Sequence, residues 1–223
     1  MMILFDLDDT LYPEKQYIYQ GFKEVAKYLN KKHGLDLYRS YYELLSIFKS
    51  GSKKVFDDFL SCQNTGETSA VLVDIYRRAP RKLSLYPDVT KGLNEIKKSN
   101  HKLILITNGR AESQRQKLEQ LCLAYYFDEI FILDEYGQEF WKPSTLISQS
   151  IYKKYGAEIK DYILVGNAEE DFEFSKNLGI RFVYIQRRNQ VRKLPIKSFF
   201  KDDNFYRIKT LDDIGEIIPI SKK

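Results

Sequence analysis

The sequence predicts an α/β protein, a doubly wound parallel sheet with a helical domain inserted after its first strand. Short apolar runs of four residues recur along the chain, at 2–5, 103–106, 130–133, 162–165 and 182–185. Helical patterns separate most of these runs, and short strands alternating with helices of about ten residues are the pattern of a parallel sheet covered on both faces. Residues 14–83 break the alternation, with four helical patterns and no strand-like run.

The first run, Met-Ile-Leu-Phe, is continuously apolar, as a strand buried on both faces must be, and it ends in acidic residues. In the insertion, Ile18, Phe22, Val25, Ala26 and Leu29 fall at spacings of 4, 3, 1 and 3, which predicts an amphipathic helix closed by Gly34. Further helices are expected around Tyr41, Leu44, Leu45 and Phe48, around Val55, Phe56, Phe59 and Leu60, and around Val71, Leu72, Ile75 and Tyr76. Pro13 and Pro87 sit close to the joints, so the expected division is a core of residues 1–13 and 84–223 and a helical domain of 14–83. Beyond it, apolar stripes are expected at Val89, Leu93 and Ile96, at Leu118, Leu121 and Cys122, at Leu146, Ile147 and Ile151, and at Phe172, Ser175 and Leu178. The last 37 residues read as a basic loop, a short strand at 205–208 and a short helix from Leu211.

At 223 residues the chain can bury a sizeable core, and 43% apolar with 14% aromatic content excludes global disorder. The net charge of +5 is unevenly spread: residues 12–86 carry 13 basic and 8 acidic side chains, 187–223 carry 10 and 5, and the remainder 13 and 18. No apolar run approaches the roughly 18 residues of a spanning helix, so no membrane association is expected. Asp6, Asp8 and Asp9 interrupt the apolar N-terminus too early for a secretory segment, which predicts a cytoplasmic protein. Cys62 and Cys122 lack the number and spacing of a disulfide framework or metal site and are expected reduced.

The chemistry-bearing residues fall at the ends of the expected strands. Asp6 and Asp8, two residues apart, are expected to point to the same side of the crevice outside the strand ends. Two carboxylates so placed need a cation between them or a shared proton, which suggests a metal, or a nucleophile paired with a proton carrier; a turn with an Asp helix cap is the ordinary alternative. Thr107-Asn108-Gly109 offers a hydroxyl and backbone amides that can cradle an anion, Lys142-Pro143 puts an ammonium ahead of a proline that preorganises the next helix, and Asn167 to Asp171 gives an amide and three carboxylates.

As an ordered set these residues resemble the motifs of the haloacid dehalogenase superfamily, a large group of mostly magnesium-dependent phosphatases with a Rossmann-like core. Asp6-Leu7-Asp8-Asp9-Thr10 is similar to the first motif, Thr107 to the second, Lys142-Pro143 to the third and Gly166 to Asp171 to the fourth, while 14–83 resembles the helical C1 cap. The resemblance implies a catalytic set of Asp6 as nucleophile, Asp8 as acid and base, and Lys142; phosphate binding by Thr107 and Asn108; Mg2+ at Asp6, Asp8, Asn167 and Asp171; and Thr10 as a brace. Asn167 departs from the family's aspartate and removes one negative charge. A small phosphorylated metabolite, a nucleoside monophosphate or a sugar phosphate, is the implied substrate. The alternatives are a binding or regulatory module of low activity, and a phosphotransferase or mutase. Arg187, Arg188, Arg192 and Lys193 could touch nucleic acid or protein, but a solvated loop is the expectation, and nucleic acid is not an expected partner.

Overall fold

The computed structural model describes residues 1–156, 161–188, 190–191 and 204–219. They divide into two compact units, one of Met1–Glu14 and Leu83–Lys223, the other Lys15–Lys82.

The first unit is built on six parallel strands in the order β3-β2-β1-β4-β5-β6, where β1 is Met2–Phe5, β2 Lys102–Thr107, β3 Glu129–Ile132, β4 Tyr162–Gly166, β5 Arg181–Ile185 and β6 Phe205–Ile208. This is the Rossmann-like architecture that the alternation predicts. Strand β1 lies in the middle, and its alternate side chains feed opposite faces: Met2 and Leu4 join Ile104, Ile106, Leu164 and Phe182 in one cluster, while Ile3 and Phe5 are equally buried. A strand with water on neither face has no use for polar alternation, which is why these runs are continuously apolar. After β1 the chain builds outward through β2 and β3, then returns to the other side of β1 with β4, so the topological switch lies between β1 and β4. Phe5 pairs in register with both Leu105 and Val165, which brings the three strand ends level.

Helices connect the strands: α5 (Val89–Lys98), α6 (Ala111–Gln120), α7 (Ile147–Tyr155) and α8 (Glu169–Leu178). Helix α5 buries Val89, Leu93 and Ile96 as expected, and it ends in Lys97 and Lys98, which suit the negative end of its dipole. Three details differ from the sequence reading. Cys122 is exposed in a left-handed conformation beyond the end of α6, because α6 stops at Gln120. Leu146 precedes α7 and is exposed, so only Ile147 and Ile151 of that stripe are core, and Pro143 lies in a separate turn rather than at the head of the helix. The third strand begins one residue earlier than its apolar run, because Glu129 takes part in the pairing with Ile104.

The second unit is all helical among its described residues: α1 (Glu14–His33, one residue shared with the first unit), α2 (Leu37–Lys49), α3 (Val55–Ser61) and α4 (Ser69–Arg78). Asp36 accepts the Arg39 amide and Thr68 that of Val71, side-chain caps that fix the starts of α2 and α4. Phe22, which is buried, and the half-buried Phe48, Phe56 and Tyr76 meet largely edge to face. Against them the Arg81 guanidinium lies 3.8 Å from the Tyr17 ring centroid and donates to the carbonyls of Tyr17, Ala79 and Tyr76. No described helix is long and apolar enough to cross a membrane.

Candidate active site

Asp6 follows β1 directly, its amide donating to the Val165 carbonyl at 3.0 Å, so the chain is still strand-like where the first carboxylate emerges. That carboxylate accepts the Lys142 ammonium at 2.6 Å, and the same ammonium donates to Asp171 Oδ1 at 2.6 Å and to the Ile106 carbonyl at 3.1 Å. All three N–H groups of the lysine are therefore spent, on the ends of β1 and β2 and on the first turn of the helix after β4. Its main chain is pinned as well, because Asn108 Oδ1 accepts the Lys142 amide at 2.8 Å and Asn108 Nδ2 donates to the Lys142 carbonyl at 3.0 Å.

Asp171 sits in the first turn of α8, where Oδ2 accepts the amides of Asn167 and Ala168 at 3.1 and 3.0 Å. A Cβ on Gly166 would lie 2.5 Å from that oxygen, so only glycine lets the carboxylate pass over the end of β4. Thr10, fully buried, has its hydroxyl 3.0 Å from Asn167 Oδ1 and 3.3 Å from Asp6 Oδ2. A hydroxyl has one proton, so the shorter contact to Asn167 is the main bond.

Charge in this cluster does not balance. Asp6 and Asp171 share one ammonium. Burial, followed by the Asp171 charge, pushes the Asp6 carboxyl up to about 7 despite the Lys142 pairing. Burial alone would lower the Lys142 ammonium, but the two carboxylates outweigh it and hold it above the ordinary lysine range.

Asp8 belongs to a second cluster, held by side chains other than those that hold Asp6 among the described residues. Lys117 of α6 donates to both its oxygens, at 2.7 and 2.9 Å, the Tyr12 hydroxyl donates to Oδ1 at 2.5 Å, and Gln114 Nε2 donates to Oδ2 at 3.0 Å. Burial pushes this carboxyl up, but the Lys117 charge and these donors together hold it below the usual range. Thr107 reaches the same cluster through Gln114, whose Nε2 lies 2.5 Å from Thr107 Oγ1.

The loop after Asp8 is fixed from the far end of the chain. Arg187 is buried and donates through Nε and Nη2 to the Thr10 carbonyl at 3.1 and 3.0 Å, and through Nη1 to Asp88 at 2.7 Å. It is thus a structural clamp, not a surface charge. Arg188 is exposed, and Arg192 and Lys193 lie outside the described residues.

Of the residues singled out from sequence, Asp6, Thr10, Lys142, Asn167 and Asp171 form one hydrogen-bonded cluster, Asp8 and Thr107 a second, and Asn108 reaches the first through the Lys142 backbone. Lys117, Gln114 and Tyr12 were not singled out as site residues, and Arg187 only as one of the basic residues of the last segment. The signal for two of them was available: Gln114 and Lys117 stand on the same helical face as Leu118 and Leu121, polar residues where an amphipathic helix should be apolar. No three His, Cys, Asp or Glu side chains converge as a metal cage among the described residues. The oxygen-only donors Asp6 and Asn167, together with the uncompensated charge on Asp6, nevertheless fit a hard divalent cation.

The sequence profile described as haloacid dehalogenase-like hydrolase matches residues 3–185, and the chain belongs to that family. Among its relatives, the glyceraldehyde 3-phosphate phosphatase of Methanocaldococcus jannaschii is 28% identical over 99% of this chain and 96% of its own. The N-acylneuraminate-9-phosphatase of Homo sapiens is 27% identical over 88% and 85%. The crystal structure of a HAD phosphatase from Thermococcus onnurineus superposes with a TM-score of 0.68 at 25% identity, covering 100% of this chain and 99% of that one.

Proposed function

We propose that this protein is a phosphatase that hydrolyses the phosphate monoester of a small metabolite through an aspartyl-phosphate on Asp6. The observation that carries the reading is the buried Asp6 carboxylate, clamped by Lys142 at the topological switch with a second, separately held carboxylate two residues on. Asp6 attacks phosphorus while the ester P–O bond breaks, and Asp8 gives a proton to the departing oxygen. In the second step Asp8 takes a proton from water, the water oxygen bonds to phosphorus, and the P–Oδ bond breaks, freeing phosphate and restoring Asp6. Lys142, the Thr107 hydroxyl and the Asn108 amide neutralise and orient the phosphoryl oxygens.

Asp6, the Asp8 carbonyl and Asn167 would hold Mg2+. Asp171 was expected among the ligands; with both its oxygens engaged, by Lys142 and by the Asn167 and Ala168 amides, it supports this site chiefly as the partner that keeps Lys142 charged and in place. When bound, the ion supplies the positive charge that the Asp6 cluster lacks. The named relatives act on phosphates of small polyhydroxylated or carbonyl compounds, which favours a sugar phosphate over a nucleotide.

Hydrolysis of para-nitrophenyl phosphate with and without Mg2+ tests the reaction, followed by phosphate release across sugar phosphates and nucleoside monophosphates. Asp6→Asn, nearly isosteric, is expected to remain folded and to lose at least about a thousandfold in kcat. Retained turnover in that variant would remove Asp6 as nucleophile. Phosphate transfer to an added alcohol in place of water would show a phosphotransferase.

A further inference from the structure

We propose that Lys117 and Gln114 are positioning residues for the reaction, fixing the Asp8 carboxylate in one orientation and at one distance from Thr107. The inference rests on the phosphatase reading and extends it to a helix that carries none of the family-like motifs.

Helix α6 buries three side chains, Gln114, Lys117 and Leu118, so two of its three inward positions are polar. Taking an ammonium and an amide out of water is unfavourable, and the inward positions of an amphipathic helix are ordinarily apolar. What the polar pair does instead is over-determine one carboxylate. Asp8 Oδ1 accepts from Lys117 and Tyr12, Oδ2 from Lys117 and Gln114, so four donor contacts from three side chains engage both oxygens and hold the carboxyl plane in one orientation.

Gln114 extends the lock to the next strand. Its Nε2 lies 2.5 Å from Thr107 Oγ1 and 2.8 Å from the Asn108 carbonyl, so two amide protons serve three acceptors within one small volume. Gly109 makes room at φ +112, where a Cβ would stand 3.4 Å from Gln114 Cδ. The ends of β1 and β2 are thereby linked through one helix side chain. Division of labour between the lysines is clean: Lys142 bonds Asp6 and Asp171, while Lys117 bonds Asp8. A proton carrier held this way meets the leaving oxygen in one geometry, and misplacement by about 1 Å can lower a rate about a hundredfold.

The test uses the full chain with Lys117→Met, Lys117→Arg and Gln114→Met, each measured for kcat and KM on para-nitrophenyl phosphate and for thermal unfolding. Positioning predicts that Lys117→Met, which leaves the Asp8 carboxylate without its cation, melts below the parent but stays folded at the assay temperature, changes KM less than about threefold and lowers kcat per folded protein by about ten- to a hundredfold, with Lys117→Arg recovering most of the loss. A folded Lys117→Met with kcat within twofold of the parent overturns the proposal, as does a loss of kcat that follows only a loss of folded protein. Should Lys117→Met not fold, Gln114→Met carries the same expectations. Absence of turnover in the parent would sink the phosphatase reading instead. Crystal structures then decide the positioning alone: an Asp8 carboxylate that turns in Lys117→Met supports it, and one that stays in place overturns it.

Discussion

At the scale of single residues, Asn167 is the informative departure. Its Oδ1 accepts from Thr10, a bond that an aspartate oxygen would accept equally well, so Asn167→Asp is tolerated by the local geometry. The added charge would face Asp6 and Asp171, which already share one ammonium. Without metal, Asn167→Asp is therefore expected to be less stable than the parent. With Mg2+ it should gain affinity by on the order of tenfold, since a charged oxygen binds a hard cation better than an amide oxygen does. Calorimetric titration and melting temperatures with and without Mg2+ measure both effects, and equal affinity in the two proteins would count against Asn167 as a ligand. The carboxylates and Lys142 were legible from sequence because strand ends in this sheet type converge and the motif order is linear in the chain. Lys117 and Gln114 were legible only as polar breaks in an apolar face, a signal lost when every polar residue of a helix is assigned to water.

At the scale of elements, the helices of the Lys15–Lys82 unit are held by local devices that act through charge as well as packing. Glu67 precedes α4 and gathers donors from α1: the His33 ring at 3.0 Å, the Tyr28 hydroxyl and the Lys32 ammonium at 3.0 Å. These bonds, His33 first, pull its carboxyl down to about 2. A carboxyl depressed on folding adds stability that is complete above its unfolded value of about 4.3 and disappears as pH falls towards the folded value. Glu67→Gln should accordingly melt below the parent at pH 6, and the two curves should converge near pH 2; a constant gap across that range would show that the ionised form is not what matters. The elements themselves were readable wherever period and length agreed, as in α1 and the buried strands. Boundaries slipped where a turn residue imitated the pattern: Leu121 and Cys122 continue the spacing of α6, but the chain leaves the helix at Gln120 and Cys122 adopts φ +51.

At the scale of the whole molecule, the long-range closures are what a linear reading could not supply. The basic excess of the last segment offered no structural explanation from sequence, yet its first residue is the buried Arg187, 177 positions from Thr10 and 99 from Asp88. Its guanidinium also lies 4.4 Å from the Tyr86 ring centroid, so one side chain joins the loop after β1, the approach to α5 and the chain beyond β5. Arg187→Met keeps much of the apolar contact but leaves the Thr10 carbonyl without its two donors and Asp88 without its cation, although Asp88 still accepts the Leu211 amide. The expected destabilisation is about 3 kcal/mol, the usual size for removing one member of a buried charged pair, read as a lower urea midpoint at unchanged slope. Arg187→Lys should recover less than half of it, because an ammonium cannot present the planar fork that reaches a carbonyl on one side and a carboxylate on the other. If the charge alone matters, lysine will restore full stability; if the fork matters, it will not, and Thr10 will lose its fixed position beside Asn167.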